Sequence, residues 1–183
     1  MSKNYDNVRV FADEETAVYL APKGTTLPVD LNALAAPFEE IGWLSEDGIT
    51  EGMSVEVTKI KAFQGGKTVR SRPKSTEKTL KFTALETKLQ TIRAYYGGDI
   101  TPTVATGVAT YTKPEAAGVV EFVCVVDKFD GTVHTRKCYE LIQVGERGDI
   151  QSNGDSGDFY EYTSDVIGPV TVITNDPALT AAP

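Results

Sequence analysis

Asp130-Gly131 separates two long runs, 118–128 and 132–144, in which β-branched and apolar residues dominate. An Asp-Gly pair between such runs is the strongest short-range hairpin signal a sequence carries. Val- and Thr-rich segments broken by Gly-containing turns recur at 16–20, 53–63, 104–112, 159–167 and 170–174. The chain is therefore expected to be mainly β. Its 183 residues suffice for one ordinary core, and 40% apolar with 24% charged residues excludes wholesale disorder. No run approaches the ~18 apolar residues of a membrane helix, and the richest, 119–126, is interrupted by Glu121. Met1-Ser-Lys-Asn-Tyr-Asp has no apolar run behind a basic tip, so no secretory leader is expected.

Between the strands the expectations are more specific. Residues 27–40, with Pro28 and Pro37, read as a long connection. In 53–63 the alternation slips: Met53, Val55 and Val57 share one face and Ile60 and Ala62 the other, which points to a bulge near Thr58. Gln64-Gly65-Gly66-Lys67 is a hairpin turn by composition. The returning stretch 68–72 has almost no apolar face, and Pro73-Lys74-Ser75 reads as an exposed loop. Residues 59–78 are thus expected to form an arm standing off the core, which rejoins it where Leu80 and Phe82 point inward. One flanking helix is expected over about 84–96, with Leu85, Leu89, Ile92 and Tyr96 on one face. Thr83 and Glu86 have capping-box spacing, and Gly97-Gly98 supplies the stop. Residues 175–183 read as an unpacked end.

Charge is sorted along this chain. Residues 59–93 hold ten basic side chains against two acids, for +8. Residues 1–58 carry three basic and eleven acidic side chains, and 94–183 carry five and thirteen, −8 in each case. A basic segment in a protein of net charge −8 calls for a partner of opposite sign, either nucleic acid or the acidic surface of another copy. Aromatics for base stacking lie only at the ends of the basic segment, at Phe63 and Phe82, where both read as core residues, and the acidic flanks repel a phosphate backbone. The second partner is favoured.

Catalytic and metal chemistry find no constellation. His134 is the only histidine; a two-residue turn would set it opposite Asp127, but no nucleophile is spaced to reach it. Gly66-Lys67-Thr68 lacks the earlier glycine of a phosphate loop, since Lys61 stands there. The acids of 149–158 miss the alternate spacing of a calcium loop. Cys124 and Cys138 make neither a disulfide framework nor a zinc site. They face each other only in an even register, whereas a two-residue Asp-Gly turn pairs Cys124 with Lys137, so buried free thiols are expected. No enzyme activity, metal or cofactor is expected.

The remaining stretch is Gly42-Trp43-Leu44-Ser45-Glu46-Asp47-Gly48, which holds the chain's only tryptophan before an acidic turn. Trp43 is expected to be largely buried. Tyr19-Leu20-Ala21-Pro22 and a Thr25-Thr26-Leu27-Pro28 turn precede it. Lys61-Ala62-Phe63-Gln64-Gly65, the Arg/Lys arm, Lys81-Phe82-Thr83 and a helix ending in Tyr95-Tyr96-Gly97 follow. In that order the parts resemble the major tail tube proteins of long-tailed (siphovirus-type) bacteriophages, over residues 15–97 in detail and beyond them in β character.

The resemblance implies a β-sandwich or barrel with one flanking helix, forming a single tail-tube domain over 1–183 without a C-terminal immunoglobulin-like domain. It implies hexameric rings of this chain, closed edge to edge and stacked into a tube, in the tail of a virion assembled in the bacterial cytoplasm. The bore would hold a tape measure protein before DNA passes without specific binding. Tail-tip and tail-terminator proteins would meet the tube's ends, and no membrane is involved. Lys59, Lys61, Arg70, Arg72 and Lys74 are then the candidate self-assembly residues, and Gly42, Trp43, Ser45, Glu46, Asp47 and Gly48 a structural motif. The alternative is a free-standing β-sandwich binding module, a phage adhesin or carbohydrate binder, for which Tyr160 and Tyr162 are the only candidate aromatic face.

Overall fold

The Val- and Thr-rich runs do become strands, and the computed structural model is mainly β, 53% strand against 8% helical. It describes residues 4–97, 100–116, 118–153 and 157–180. In chain order the elements are β1 (Ala17–Pro22), β2 (Glu39–Glu40), β3 (Leu44–Lys61), β4 (Thr68–Ala84), α1 (Leu89–Tyr96), β5 (Thr103–Ala105), β6 (Val108–Thr110), β7 (Val120–Asp130), β8 (Val133–Arg147), β9 (Tyr160–Thr174) and α2 (Pro177–Thr180). Seven strands form one antiparallel sheet in the order β2-β1-β7-β8-β9-β4-β3, and β5 pairs only with β6.

That sheet is curled. In its order β7 and β3 lie four strand spacings apart, roughly 19 Å if the sheet were flat. Yet Lys128 of β7 reaches Glu51 of β3 at 3.1 Å. The curl encloses one cluster built from Val18 and Leu20 of β1, Phe122, Cys124 and Val126 of β7, Tyr139 and Ile142 of β8, Tyr162 of β9, and Leu80 and Phe82 of β4. Leu80 and Phe82 point inward as their alternation requires.

Helix α1 closes one side of the cluster. Its buried residues are Gln90, Thr91, Ile92 and Ala94, while Leu89 is exposed. Tyr162 donates a hydrogen bond to the Thr91 carbonyl at 2.9 Å, and the Tyr95 ring meets Tyr160 edge-on. The helix is shorter than the 84–96 expected, and the capping box does not form. Thr83 and Ala84 stay in β4, paired with Glu161 and Tyr160, because sheet pairing and burial of Ala84 outweigh the local capping signal. The N-cap is Lys88, with no side-chain hydrogen bond. Gly97, at φ 76°, ends the helix as expected; Gly98 lies outside the described residues.

Other boundaries also move. The 104–112 strand is a small hairpin, β5–β6, around Thr106-Gly107. The segments 159–167 and 170–174 fuse into β9, which runs through Gly168-Pro169 with a register shift against β8. The β7–β8 turn is centred on Gly131-Thr132, so Asp130 pairs with Val133. Gly131 alone has a left-handed φ, as a turn with glycine first requires. The one-residue shift sets Cys124 opposite Tyr139 and Cys138 opposite Val125. The two thiols therefore lie on opposite faces, buried and free. The cross-strand partner of His134 is Phe129, their rings stacked at 4.1 Å, rather than Asp127, although the His134 Nε2 still lies 3.1 Å from the Asp127 carboxylate. The start of the C-terminal stretch is held rather than loose: Asp176 pairs with Arg9 at 2.7 Å, and Asn175 accepts the His134 amide.

Candidate assembly surface

Strand β4 pairs with β9 only from Thr79 to Ala84; from Thr68 to Lys78 its sole partner is β3. The segments 53–61 and 68–78 therefore leave the body as a two-stranded hairpin. Eleven residues at about 3.3 Å each make it roughly 35 Å long. β-branched residues on both legs hold it extended without a core beneath it. Gly65 and Gly66, at φ 72° and 64°, make the tip turn as composition required.

The phase slip in β3 has a physical counterpart. Glu56 pairs with Ser75 and Val57 with Pro73, so Lys74 is an extra residue on β4, one or two positions from the expected bulge. Pro73-Lys74-Ser75 is accordingly strand, not loop. Its missing ladder donor and its bulge fall on an edge, where both are tolerated and both hinder indiscriminate pairing.

Cations on the arm divide by position. Lys74 pairs with Glu56 at 3.0 Å and Lys78 donates to the Gly168 carbonyl at 3.0 Å. Farther out, Lys59, Lys61, Lys67, Arg70 and Arg72 have no ion-pair partner among the described residues. Of the five candidate residues, Lys74 is thus committed within the arm and the other four present open charge. Phe63 at the tip, expected in the core, is 100% exposed.

At the base of the arm, Gly52 pairs with Thr79, where a Cβ on the glycine would come 2.4 Å from Thr79 Oγ1. Glu51 beside it binds Lys137 at 2.7 and 2.9 Å and Lys128 at 3.1 Å. Burial pushes the Glu51 carboxyl up, but the two lysines outweigh it and hold the group below its ordinary value. This acid fastens the edge strand that carries the arm to β7 and β8. Its one sequence signal is an acid on the Met53 and Val55 face.

The motif 42–48 behaves differently from the expectation. Trp43 is 60% exposed while Ile41 is fully buried. Residues two apart normally share a face of an extended chain, but Gly42 at φ 93° reverses the direction, sending Ile41 in and Trp43 out. A Cβ on Gly42 would also meet Glu86 at 2.4 Å, and Glu86 accepts the Trp43 amide at 2.9 Å. The hydrogen bond from Lys88 and then that from Trp43 hold the Glu86 carboxyl below its usual range. Ser45-Glu46-Asp47-Gly48 is not a turn between elements but an irregularity inside β3, between the Leu44–Ala84 and Ile49–Phe82 pairs.

Tyr160 and Tyr162, the aromatic face a carbohydrate binder would need, are 5% and 0% exposed and turned to α1. That removes the basis for the binding-module alternative. A further interaction had no sequence signal. Arg136, 2% exposed, binds Asp127 through two 2.7 Å hydrogen bonds. It also donates to the carbonyls of Asp30 and Asn32 at 2.8 Å, pinning the 27–40 connection to the sheet. Among the described residues no cluster of three or more His, Cys, Asp or Glu could hold a metal ion, and no helix is long and apolar enough to cross a membrane.

A family model described as phage tail tube protein matches residues 1–158, whereas no curated protein matches.

Proposed function

From the membership of this chain in the phage tail tube protein family, a structural component of the virion tail, we propose that its copies close into hexameric rings that stack as a siphovirus-type tube. Residues 1–183 act as one tail-tube domain. The tube houses the tape measure protein during assembly, meets tail-tip and tail-terminator proteins at its ends, and passes DNA without binding it. Its parts are made in the host cytoplasm. No catalytic step is required of it.

The observation that carries this reading is the arm. A hairpin roughly 35 Å long, with both edges open and five uncommitted cations, stands on a chain of net charge −8. Open edges are a liability to a monomer and are satisfied when neighbouring copies pair with them. A heterologous contact closes a ring or propagates a stack, and a tube uses both. Lys59, Lys61, Arg70 and Arg72 act between copies in this scheme, while Gly42, Ser45, Glu46, Asp47 and Gly48 shape the start of the strand that ends in the arm. The assay is sedimentation of concentrated protein at moderate salt with negative-stain imaging of the pellet. Rings or tubes are expected. A species of about 20 kDa that persists even with a tail-initiation complex present rejects the reading.

A further inference from the structure

The two ends of β3 carry surfaces that complement each other. At its C-terminal end the chain turns through Phe63, fully exposed at the tip of a hairpin whose legs carry Lys59, Lys61, Lys67, Arg70 and Arg72. At its N-terminal end lies a groove of about 560 Å³. Leu85 and Phe159 supply apolar walls, and Glu46, Asp47, Asp149 and Glu161 supply carboxylates. Glu161 is already paired with Lys81. Glu46, Asp47 and Asp149 are exposed and have no ion-pair partner among the described residues. Ser45, whose Oγ is enclosed without a hydrogen-bond partner, also lines the groove.

An aromatic tip on a basic hairpin at one end thus has its counterpart, an apolar groove edged by carboxylates, at the other. Asp47 and Lys61 are fourteen residues apart on one strand, so the two surfaces are roughly 45 Å apart. A chain cannot fold this arm back onto its own groove, because both belong to the same extended strand. A second copy can supply it. We propose that the Phe63 hairpin tip of one copy seats in the Glu46-Asp47-Asp149 groove of another. Because donor and acceptor surfaces differ and sit at opposite ends of β3, the contact is heterologous and head to tail, the kind that propagates a stack. Opposite charges set its orientation and Phe63 is its desolvated anchor. The inference rests on the tube reading and names the contact between successive rings.

A charge-exchange experiment on the full chain tests it. Groove reversal is Glu46→Lys, Asp47→Lys and Asp149→Lys; tip reversal is Lys61→Glu, Lys67→Glu and Arg70→Glu. All six positions are exposed, so each variant is expected to keep the wild-type melting point. Each set alone should lower the sedimentable polymer about tenfold or more, since attractive contacts become repulsive. Both sets in one chain should restore most of it, because the charges are exchanged rather than lost. Phe63→Ala should lower polymer yield while leaving the melting point unchanged. Groove reversal that assembles like wild type, or a combined variant no better than either set alone, overturns the inference and leaves the tube reading standing. A wild-type chain that never polymerises overturns both.

Discussion

Arg136→Met is expected to be among the most damaging single substitutions in this chain, although it lies far from the arm. The arginine is 2% exposed and its four hydrogen bonds, two to Asp127 and one each to the carbonyls of Asp30 and Asn32, are all 2.7 or 2.8 Å. Methionine fills similar space but leaves the Asp127 carboxylate buried, with only His134 Nε2 at 3.1 Å beside it. Removing one partner of a buried pair typically costs about 3–5 kcal/mol. For a protein of this size each kcal/mol lowers the melting point by about 2–4 °C, so a fall of roughly 6–20 °C is expected. The double variant Asp127→Leu/Arg136→Met removes both charges. The Asp30 and Asn32 carbonyls belong to exposed residues and can turn to water, so the double variant should melt above the Arg136→Met variant. Circular dichroism melts of wild type, the Asp127→Leu and Arg136→Met single variants and the double variant measure this, and proteolysis within 27–40 should accelerate in both variants that lack Arg136 as the connection loses its anchor. A single variant within about 1 kcal/mol of wild type, or a double variant that loses the sum of the two singles, refutes the role assigned to the pair.

Three other outcomes follow from the base of the arm and the 42–48 segment. Glu51 has a folded-state carboxyl held below its ordinary value, so its stabilisation is present above the unfolded pKa and is lost as pH falls through the lowered one. Glu51→Gln should therefore cost about 1 kcal/mol at pH 7, with the gap to wild type closing in acid; a gap that stays constant down to pH 3 contradicts the latch. Trp43→Ala should change stability by no more than about 0.5 kcal/mol, as expected of an exposed side chain. A melting point several degrees lower would place the ring in the core after all. Gly42→Ala should cost about 1–2 kcal/mol, because alanine is strained at φ 93°, and thermal unfolding indistinguishable from wild type would show that the reversal at Gly42 is not required.

Signals that depend on a few neighbouring residues are legible in the sequence. Gly65-Gly66 marked a tight turn, the Met53-to-Ala62 phase slip marked an irregular strand, and alternation placed Leu80 and Phe82 inside. The ordered series of short motifs over 15–97 carried the family. What was lost depended on distant partners. Thr83 and Glu86 have the spacing of a helix cap, but β9 claims Thr83 for the sheet and the Trp43 amide claims Glu86. Phe63 looks like any core aromatic until the arm is seen to leave the body. Arg136, Asp127 and Glu51 are charges on strands, where solvent is the ordinary expectation; the shifted hairpin register sets Asp127 opposite Arg136, and the curl of the sheet brings Lys128 and Lys137 to Glu51. The direction of Trp43 turned on a single backbone angle at Gly42.

On the proposed function, passage of DNA sets the most demanding condition on the tube. A cation fixed on the wall would pair with passing phosphate, and even about 1 kcal/mol per exposed contact, repeated in every ring, would hold the genome inside. A density map of the assembled protein examines the tube and its bore at once. The expected result is stacked six-fold rings with a lumen poor in Lys and Arg, and with Lys59, Lys61, Lys67, Arg70 and Arg72 at contacts between copies or on the exterior. A bore ringed by those side chains would contradict the charge argument, and particles without stacked rings would contradict the tube itself.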